Sequence, residues 1–534
     1  MSRSRFDRPF SHKTTFNVGQ IIPFYVDEVL PGDTFDVETS RVVRMQSLIT
    51  PVMDNIYLDM YYFFVPNRIV WSHWKEFMGE NTESAWIPKT EYSLPQITAP
   101  ADGGFKVGTI ADYLGVPTGV PSLSVNALPF RAYALICNEW FRDENLSDPL
   151  NIPVDDATVA GVNTGTFVSD VAKGGLPYTA AKYHDYFTGA LPAPQKGPDV
   201  LIPSATAGEY PVVTRSETHD VGSVPYSVSY VGSDPPSSGQ DYTFAFDSNG
   251  ASRRARFGDA DAGSTFPVIN NLWAQASGGL GATINQLRMA FQIQRLYEKD
   301  ARGGTRYIEV LKAHFGVTSP DARLQRPEYL GGNRIPININ QVLQTSGTAV
   351  GTTPQGTPVG QSLTTDTHHD FKKSFVEHGF VIGVMVARYR HTYQQGLERF
   401  WNRHTRFDYY WPVLANIGEQ AILNKEIYAQ GTEEDDEVFG YQEAWADYRY
   451  KPDRVSAEMR SAYAQSLDVW HLADDYDKLP ALSDSWIRED PANVDRVLAV
   501  QSNTSAQLFA DIFVMNRTTR PMPMYSVPGL IDHH

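Results

Sequence analysis

Apolar side chains follow β-strand spacing in two short runs between residues 15 and 44. The segment Leu30-Pro31-Gly32-Asp33 separates the runs, and its proline presets φ while its glycine can adopt positive φ. A third run, residues 56–65, is dense in Tyr and Phe and stops at Pro66. The pattern predicts three strands near the N-terminus, with a turn between the first two.

A longer strand is predicted near residue 380. Phe380, Ile382, Val384 and Val386 form one apolar face of this strand. Val381 and Met385 extend the apolar character to the other face. Apolar residues on both faces indicate a strand that is buried on both sides. Near the C-terminus, the runs 494–500 and 508–514 predict two more strands.

Helical spacing is found only in a few segments. Apolar residues between 284 and 296 lie close to an i, i+3/i+4 stripe, and Gly303-Gly304 should end that helix. A shorter helix is expected over residues 307–315, and another over 419–428. Helices are therefore a minor part of the predicted fold.

Glycine and proline interrupt the whole chain, with 40 Gly and 35 Pro among 534 residues. Both residues break regular elements, so loops must be long. The chain also carries 10 Trp, 28 Tyr and 27 Phe, which need a packed interior or an interface. We expect a mainly β fold, a β-sandwich whose connections are greatly enlarged. Eight strands of ordinary length use only about fifty residues, so most of the chain would be insertions.

Four segments stand apart from this pattern. Residues 1–13 read as a flexible basic arm, and residues 198–279 as a large surface excursion or small β-rich subdomain rich in Ser, Gly, Pro, Asp and Thr. Residues 346–362 contain Gly-Thr-Pro repeats and read as a low-complexity loop. The tail, residues 520–534, has three prolines and reads as an extended arm laid over a neighbour.

Charge and composition narrow the class of protein. The formal net charge of −17 argues against a protein that coats nucleic acid over its whole surface. There are 31 Arg and 14 Lys, a choice typical of protein interfaces, although a codon bias would produce it too. The single cysteine, Cys137, excludes an intrachain disulfide. No apolar run approaches the length of a membrane span or forms a signal peptide, so membrane insertion is not expected.

Candidate chemistry is sparse, and no enzyme motif is found. His368-His369 and His533-His534 have no nearby Cys partners, so loop histidines are favoured over a metal site. The acidic run 433–437 would suit calcium or a solvated loop. Arg302-Gly303-Gly304-Thr305-Arg306 would suit a phosphate nest or a helix–helix turn with its arginines paired to Glu298 and Glu309. We expect no cofactor, metal or catalytic residue.

Three classes of function fit these observations: a shell subunit, a carbohydrate-binding or receptor-binding jelly roll, and a β-sandwich glycosidase. A glycosidase needs two carboxylates facing a cleft, and no sequence pattern selects such a pair. Extended termini and Arg-rich, aromatic loops are better suited to many heterologous contacts than to a small closed oligomer. These features favour a protein that makes many heterologous contacts in an assembly.

Several ordered segments resemble the major capsid proteins of gokushoviruses, a group within the Microviridae, over nearly the whole chain. They include Phe6-Asp7-Arg8 and Val65-Pro66-Asn67-Arg68. Further matching segments are residues 22–34, 138–143, 184–188, 301–307, 326–332, 419–426 and 520–529. The long and mutually consistent matches identify the chain as a member of that bacteriophage family.

The resemblance implies that residues 14–534 form a single eight-stranded antiparallel viral jelly roll with very long insertion loops. It implies a T=1 icosahedral shell of about sixty copies around a circular single-stranded DNA genome. A small basic internal protein, minor viral proteins and a host cell-surface receptor would be its partners. The chain would reside in the virion after assembly in the bacterial host cytoplasm.

Two sets of site residues follow. Arg3, Arg5, Arg8 and Lys13, opposed only by Asp7, are expected to contact DNA, with Arg253, Arg254 and Arg256 as a second possibility. The resemblance places the family's variable insertion, which gathers at three-fold axes, at residues 198–279. Its aromatic residues are expected to contact the host: Tyr210, Tyr226, Tyr230, Tyr242 and Phe244.

Overall fold

The computed structural model describes residues 3–82, 89–198, 200, 284–345 and 354–525, together with the backbone of four short strands between residues 212 and 274. The chain divides into two units. One comprises Met1–Lys196 and Glu298–His534, and the other comprises Gly197–Tyr297.

Two four-stranded antiparallel sheets form the centre of the first unit. In chain order their strands are β1 Ser4–Phe16, β2 Ile22–Val29, β3 Thr34–Met45, β4 Ile56–Pro66, β5 Glu328–Pro336, β6 Thr364–Ser374, β7 Gly379–Tyr389 and β8 Leu508–Arg520. The first sheet has the order β1-β8-β3-β6 and the second has the order β5-β4-β7-β2.

The pairing of these strands is that of a folded hairpin. β1 pairs with β8, β2 with β7, β3 with β6 and β4 with β5, so the first strand meets the last and the middle strands meet each other. A long hairpin that folds over itself in this way forms a double-sheet jelly roll. The predicted mainly β fold class is confirmed, and the strand order agrees with a viral jelly roll.

The core lies between the two sheets because each inner face is apolar. In β3, buried side chains alternate with partly exposed ones from Phe35 onward, and β8 shows the same alternation from Leu508. The inner face packs Val37 and Ile512 of the first sheet in one cluster with Met60 and Met385 of the second. Alternation of period two therefore orients the first sheet, with one face on the core and one face outward.

The second sheet is covered on its other face as well. Ile382 and Val384 of β7 pack in a second apolar cluster with Phe130 and Ala134, which belong to the helix Leu128–Ile136. This explains the burial of nearly all of β7 and confirms the sequence-based expectation of a strand covered on both sides.

Two insertions hold most of the remaining chain of the first unit, between β4 and β5 and between β7 and β8. The first contains the strands Gln96–Thr98, Ser124–Asn126 and Val159–Ala160 and the helices Asn67–Val70, Trp74–Phe77, Ile110–Tyr113, Leu128–Ile136, Cys137–Phe141, Val171–Lys173, Tyr307–Val310 and Leu311–Phe315. The second contains the strands Glu419–Leu423 and Val438–Glu443, the helices Asn424–Ile427, Asp484–Ile487 and Pro491–Asp495, and seven single 3₁₀ turns among its described residues.

In the second unit, Val212–Thr214 pairs with Leu272–Ala274, and Phe244–Asp247 pairs with Arg254–Phe257, both antiparallel.

The helix Ile284–Gly303 ends where Gly303-Gly304 was expected to end it. The helical segment from Tyr307 also ends as expected, at Gly316, whose φ is +69°.

The N-terminal segment differs from the expected flexible arm over residues 1–13. Ser4–Phe16 is a 13-residue strand that pairs with β8 along its whole length. The partner residues lie about 500 positions away in sequence, so no local pattern could reveal the pairing. Residues 346–353 of the expected loop 346–362 lie outside the described residues, but Pro358–Ser362 is a strand paired with Ile339–Leu343.

Two expected elements near the C-terminus were wrong in whole or in part. Of the helix predicted over residues 419–428, only Asn424–Ile427 is helical, and Glu419–Leu423 is a strand because it pairs with Val438–Glu443. The strand predicted over residues 494–500 is absent, and the helix Pro491–Asp495 occupies its beginning. Its buried residues Val494, Val497 and Leu498 have helical i, i+3, i+4 spacing, which the prediction misread as a strand.

The tail begins inside β8, which ends at Arg520. The guanidinium of Arg520 donates to Asp33 at 3.1 Å, so the end of the last strand is held by the turn between β2 and β3. Residues 526–534 lie outside the described residues, and the extended arm expected over 520–534 stays a prediction there.

Candidate nucleic-acid interface

The four basic residues expected to contact DNA lie on or next to β1, and the alternation of the strand separates them. Arg5 and Lys13 point outward, with 62% and 74% of their side chains exposed. Arg8 points the opposite way, toward the second sheet. Arg3 is exposed just before the strand, beside the turn between β2 and β3, where a Cβ on Gly32 would lie 3.3 Å from its guanidinium.

Arg8 is held by an internal carboxylate. Its guanidinium donates to both carboxylate oxygens of Asp27 on β2 and, at 3.1 Å, to the hydroxyl of Thr518 on β8. The same guanidinium lies 5.2 Å from the ring centre of Phe35. Desolvation would lower the pKa of Arg8, but Asp27 raises it above the ordinary value. Arg8 therefore joins the two sheets, and its charge is already neutralised.

The exposed basic residues of β1 also have acidic neighbours. Arg5 lies 3.7 Å from Asp7, and Lys13 lies 3.5 Å from Asp511 on β8. Such exposed pairs are weak and screened by salt, so a phosphate can compete for these cations. Arg5 and Lys13 thus remain accessible to an anionic ligand, in contrast to Arg8.

The outward face of the first sheet continues this mixture of charges. The register places Asp7, Arg517, Asp36 and Lys372 in one row across β1, β8, β3 and β6. Lys372 lies 3.7 Å from Asp36, and a hydrogen bond from His369 lowers the pKa of Asp36. Negative and positive side chains therefore alternate along this row, and exposed apolar side chains such as Phe513 lie elsewhere on the same face.

The expected host-contact residues are described only in part. Phe244 is the first residue of its strand and pairs with Phe257. Tyr210, Tyr226, Tyr230 and Tyr242 lie outside the described residues. Of the second set of basic residues, Arg254 and Arg256 lie on the partner strand of Phe244, and Arg253 lies outside the described residues.

The turn Arg302-Gly303-Gly304-Thr305-Arg306 is a nest for an anion, and the anion is an internal carboxylate. Glu144 accepts hydrogen bonds from the backbone N–H groups of Thr305 at 2.9 Å and Arg306 at 3.0 Å. The expected helix–helix turn is confirmed, and Arg306 pairs with Glu309 at 3.5 Å, but Arg302 pairs with Glu419 instead of Glu298. The sequence analysis missed Glu144, which lies about 160 residues away.

The carboxylates in this nest are close enough to share a proton. Arg306 N–H also donates to Glu309 at 3.2 Å, so one amide serves both acids. Burial and a hydrogen bond with Glu144 raise the pKa of Glu309 to about 7. Burial alone would raise the pKa of Glu144, but hydrogen bonds from Glu309 and Thr305, with the charge of Arg306, lower it to about 2. The pair thus carries one negative charge between about pH 2 and pH 7 and loses its remaining proton above that range.

The other candidate groups have structural roles. His368 and His369 lie on opposite faces of β6, bonded to Asp370 and Asp36. In the acidic run, Asp435 accepts the backbone N–H groups of Gln430 and Gly431. Burial raises the pKa of the Cys137 thiol. Within the described ranges, no three His, Cys, Asp or Glu side chains come together as ligands of one metal ion.

Comparison with known families decides the class of protein. The family model described as capsid protein (F protein) matches residues 1–530. The chain belongs to the phage capsid protein (F protein) family.

Similar capsid proteins are found in phages of different hosts. Capsid protein VP1 of Spiroplasma virus 4 is 43% identical over 546 residues, covering 99% of this chain and 95% of the relative. Capsid protein VP1 of Bdellovibrio phage phiMH2K is 42% identical with the same coverage, and that of Chlamydia phage 1 is 41% identical, covering 99% and 96%. The identification as a Microviridae capsid protein is thus confirmed.

Family membership makes the chain a structural component of the virion, where copies of a capsid protein contact one another. None of the helices in the described part of this capsid protein has the length and apolar character needed to cross a bilayer. The functional surfaces therefore include those that meet other copies of the capsid protein.

Proposed function

We propose that about sixty copies of this capsid protein form a closed T=1 icosahedral shell around a circular single-stranded DNA genome. The observation that carries the proposal is the family match over residues 1–530. The fold supports it, because β1 and β8 join the two ends of the chain within one sheet and leave the long insertions for contacts between copies.

The test of the proposal is electron microscopy of the protein produced together with its viral partners. We expect closed shells of uniform diameter that protect single-stranded DNA from nuclease. A chain that stays monomeric or trimeric under every assembly condition, including with its partner proteins, would contradict the proposal and favour a receptor-binding jelly roll.

The charge of the chain means that packaging needs a source of positive charge. A net charge of −17 on about sixty copies amounts to roughly −1000 charges on the shell, which repels a polyanion. Local cationic surface, polyamines or a small basic internal protein must offset this repulsion. We therefore include such an internal protein, and minor viral proteins, among the partners in the virion.

For direct DNA contact we propose Arg3, Arg5 and Lys13 and exclude Arg8. The first three are exposed, whereas Asp27 neutralises Arg8 inside the fold. Replacing Arg3, Arg5 and Lys13 with Ala should lower the DNA content of particles but leave shell formation unchanged. Arg8→Ala is the matched control, since it should impair folding or shell formation. Unchanged DNA content in the triple variant would contradict the DNA contact.

The host contact is assigned to residues 198–279. Its surface composition and its position between β4 and β5 support this role, as does the resemblance to the variable insertion of gokushovirus capsid proteins. Assembly would take place in the bacterial cytoplasm. Exchanging the segment between related phages should transfer adsorption, and assembly-competent chimeras with unchanged adsorption would contradict the assignment.

A further inference from the structure

An aromatic surface lies on the insertion between β7 and β8, and sequence analysis did not single it out. We define the aromatic surface by its six rings, all at least 42% exposed: Phe400, Trp401, Phe407, Tyr409, Tyr410 and Trp411. The signal in the sequence is their density, six aromatics among twelve consecutive residues, without helical or strand period. Isolated exposed apolar residues are ordinary, but six exposed rings within twelve residues of one segment favour an interaction site.

Hydrogen bonds within the loop order the backbone that carries the rings. Asp408 accepts the N–H groups of His404 at 2.9 Å and Thr405 at 2.6 Å, which fixes the turn before Phe407. Trp411 donates its indole N–H to Arg406 O at 2.8 Å within the same loop. A surface that is already ordered loses little conformational entropy when a partner covers it.

Most of the charged side chains around the aromatic surface are paired within the chain, and Arg406 lies over the ring of Phe407 at 4.8 Å. Arg403 pairs with Asp447, and Arg399 lies 3.3 Å from Glu426. Glu398 accepts hydrogen bonds from the side chains of both Lys451 and Arg454. Phosphate binding depends on cations that are free to exchange their counterions, so these pairs disfavour nucleic acid as the ligand.

A surface whose charges are mostly paired suits contact between copies of this chain. Each copy carries a net charge of −17, so two copies repel each other except where local charges are already balanced. Trp, Tyr, Phe and Arg are also the residues that dominate the binding energy of protein interfaces. A groove of about 770 Å³, lined by Phe400, Trp401 and Tyr448, opens beside the rings and can receive side chains.

We propose that the aromatic surface is a contact between two copies of this chain in the assembled shell. The proposal rests on the proposed shell function and specifies one of its contacts. On assembly, the exposed rings become buried against the neighbouring copy, and the paired charges around them form a polar rim.

The direct test places a photo-crosslinking benzoylphenylalanine at position 407, where 62% of the side chain is exposed. Irradiation of purified shells should yield a product of twice the chain mass. Crosslinking to DNA, or wild-type-like shells without the double-mass product, would contradict the contact alone. Failure of the unmodified chain to form shells would contradict the proposed shell function itself.

A second test measures assembly. The double variant Trp401→Ser, Phe407→Ser should keep the thermal stability of the free chain, because the two residues are 65% and 62% exposed. We expect its yield of shells at equal protein concentration to fall at least tenfold. The control is Val376→Ser, since Val376 is 87% exposed in the turn between β6 and β7. Normal shell yield in the double variant would overturn the proposal.

Discussion

At the residue scale, His391 lies at the centre of a deeply buried ion cluster. Its Nδ1 lies 2.9 Å from Asp474 and its Nε2 lies 3.1 Å from Glu489, with 2% of the side chain exposed. Lys182 lies 3.8 Å from Asp474. Burial would lower the pKa of His391, but the two carboxylates raise it to about 9. The protonated ring therefore ties the end of β7 to the insertion that precedes β8.

We expect His391→Gln to lower the free energy of unfolding by about 3 kcal/mol, because it leaves two buried carboxylates without their cation. In the wild type, the contribution of His391 is complete below about pH 6.5 and is lost as the pH rises toward 9, since the folded pKa is the higher one. Thermal unfolding of both proteins at pH 6 and pH 9 checks this. An equal difference at the two pH values would contradict the assignment.

Glu309 provides a second pH dependence. It comes from an acid that stays protonated in the fold, whereas that of His391 comes from a cation. Its pKa of about 7 lies above the ordinary 4.5, so the folded chain keeps a proton that the unfolded chain releases. Its stabilising contribution therefore falls as the pH rises from 4.5 to 7. Glu309→Gln should remove this loss. At pH 8 its free energy of unfolding should exceed that of the wild type by on the order of 1 kcal/mol after solvent screening, and its unfolding temperature should be higher.

The measurement is the midpoint of thermal unfolding of wild type and Glu309→Gln at pH 5 and pH 8. The advantage of the variant should grow with pH. A variant that is less stable than wild type at pH 8 would show that the Glu309 carboxylate, rather than its neutral acid, is the form that the nest stabilises.

At the element scale, β1 is an edge strand of the first sheet and pairs with β8. Without it, the backbone N–H and C=O groups of β8 on that side would be unpaired over 13 residues. Deletion of residues 1–13 should therefore abolish the soluble folded chain. The measurement is the soluble fraction and circular dichroism spectrum of the truncated protein. A stable, folded truncation would instead support the flexible arm that the sequence suggested.

The strands that sequence analysis predicted correctly have a period set by local side chains. β3 and β8 alternate because one face meets the core, and β7 is apolar on both faces because a helix covers the second. The errors lie where distant pairing decides the structure. Residues 419–423 form a strand only because a partner follows at Val438–Glu443, and β1 is a strand only because of β8.

The candidate site shows the same division. Once β1 forms, the alternation of the strand is enough to expose Arg5 and Lys13. The neutralisation of Arg8, however, depends on Asp27 of another strand. Likewise, the nest after Gly303 was visible in the sequence, whereas its occupant, Glu144, comes from a distant part of the insertion. Local chemistry could be predicted, and long-range partners could not.

At the scale of the whole molecule, the jelly roll positions the surfaces. Its folded-hairpin pairing brings both ends of the chain into one sheet, whose outward face carries Arg5 and Lys13. The insertion between β7 and β8 carries the aromatic surface, and the insertion between β4 and β5 includes the second unit. The proposed genome contact, contact between copies and host contact thus lie on separate parts of the chain.

The mass of the assembled particle tests the shell most directly. A chain of 59.7 kDa in about sixty copies predicts about 3.6 MDa of capsid protein in an empty shell, measurable by native mass spectrometry or mass photometry. A single species near that mass would support the account. A distribution confined to monomers and small oligomers, or a closed particle with a different copy number, would contradict it.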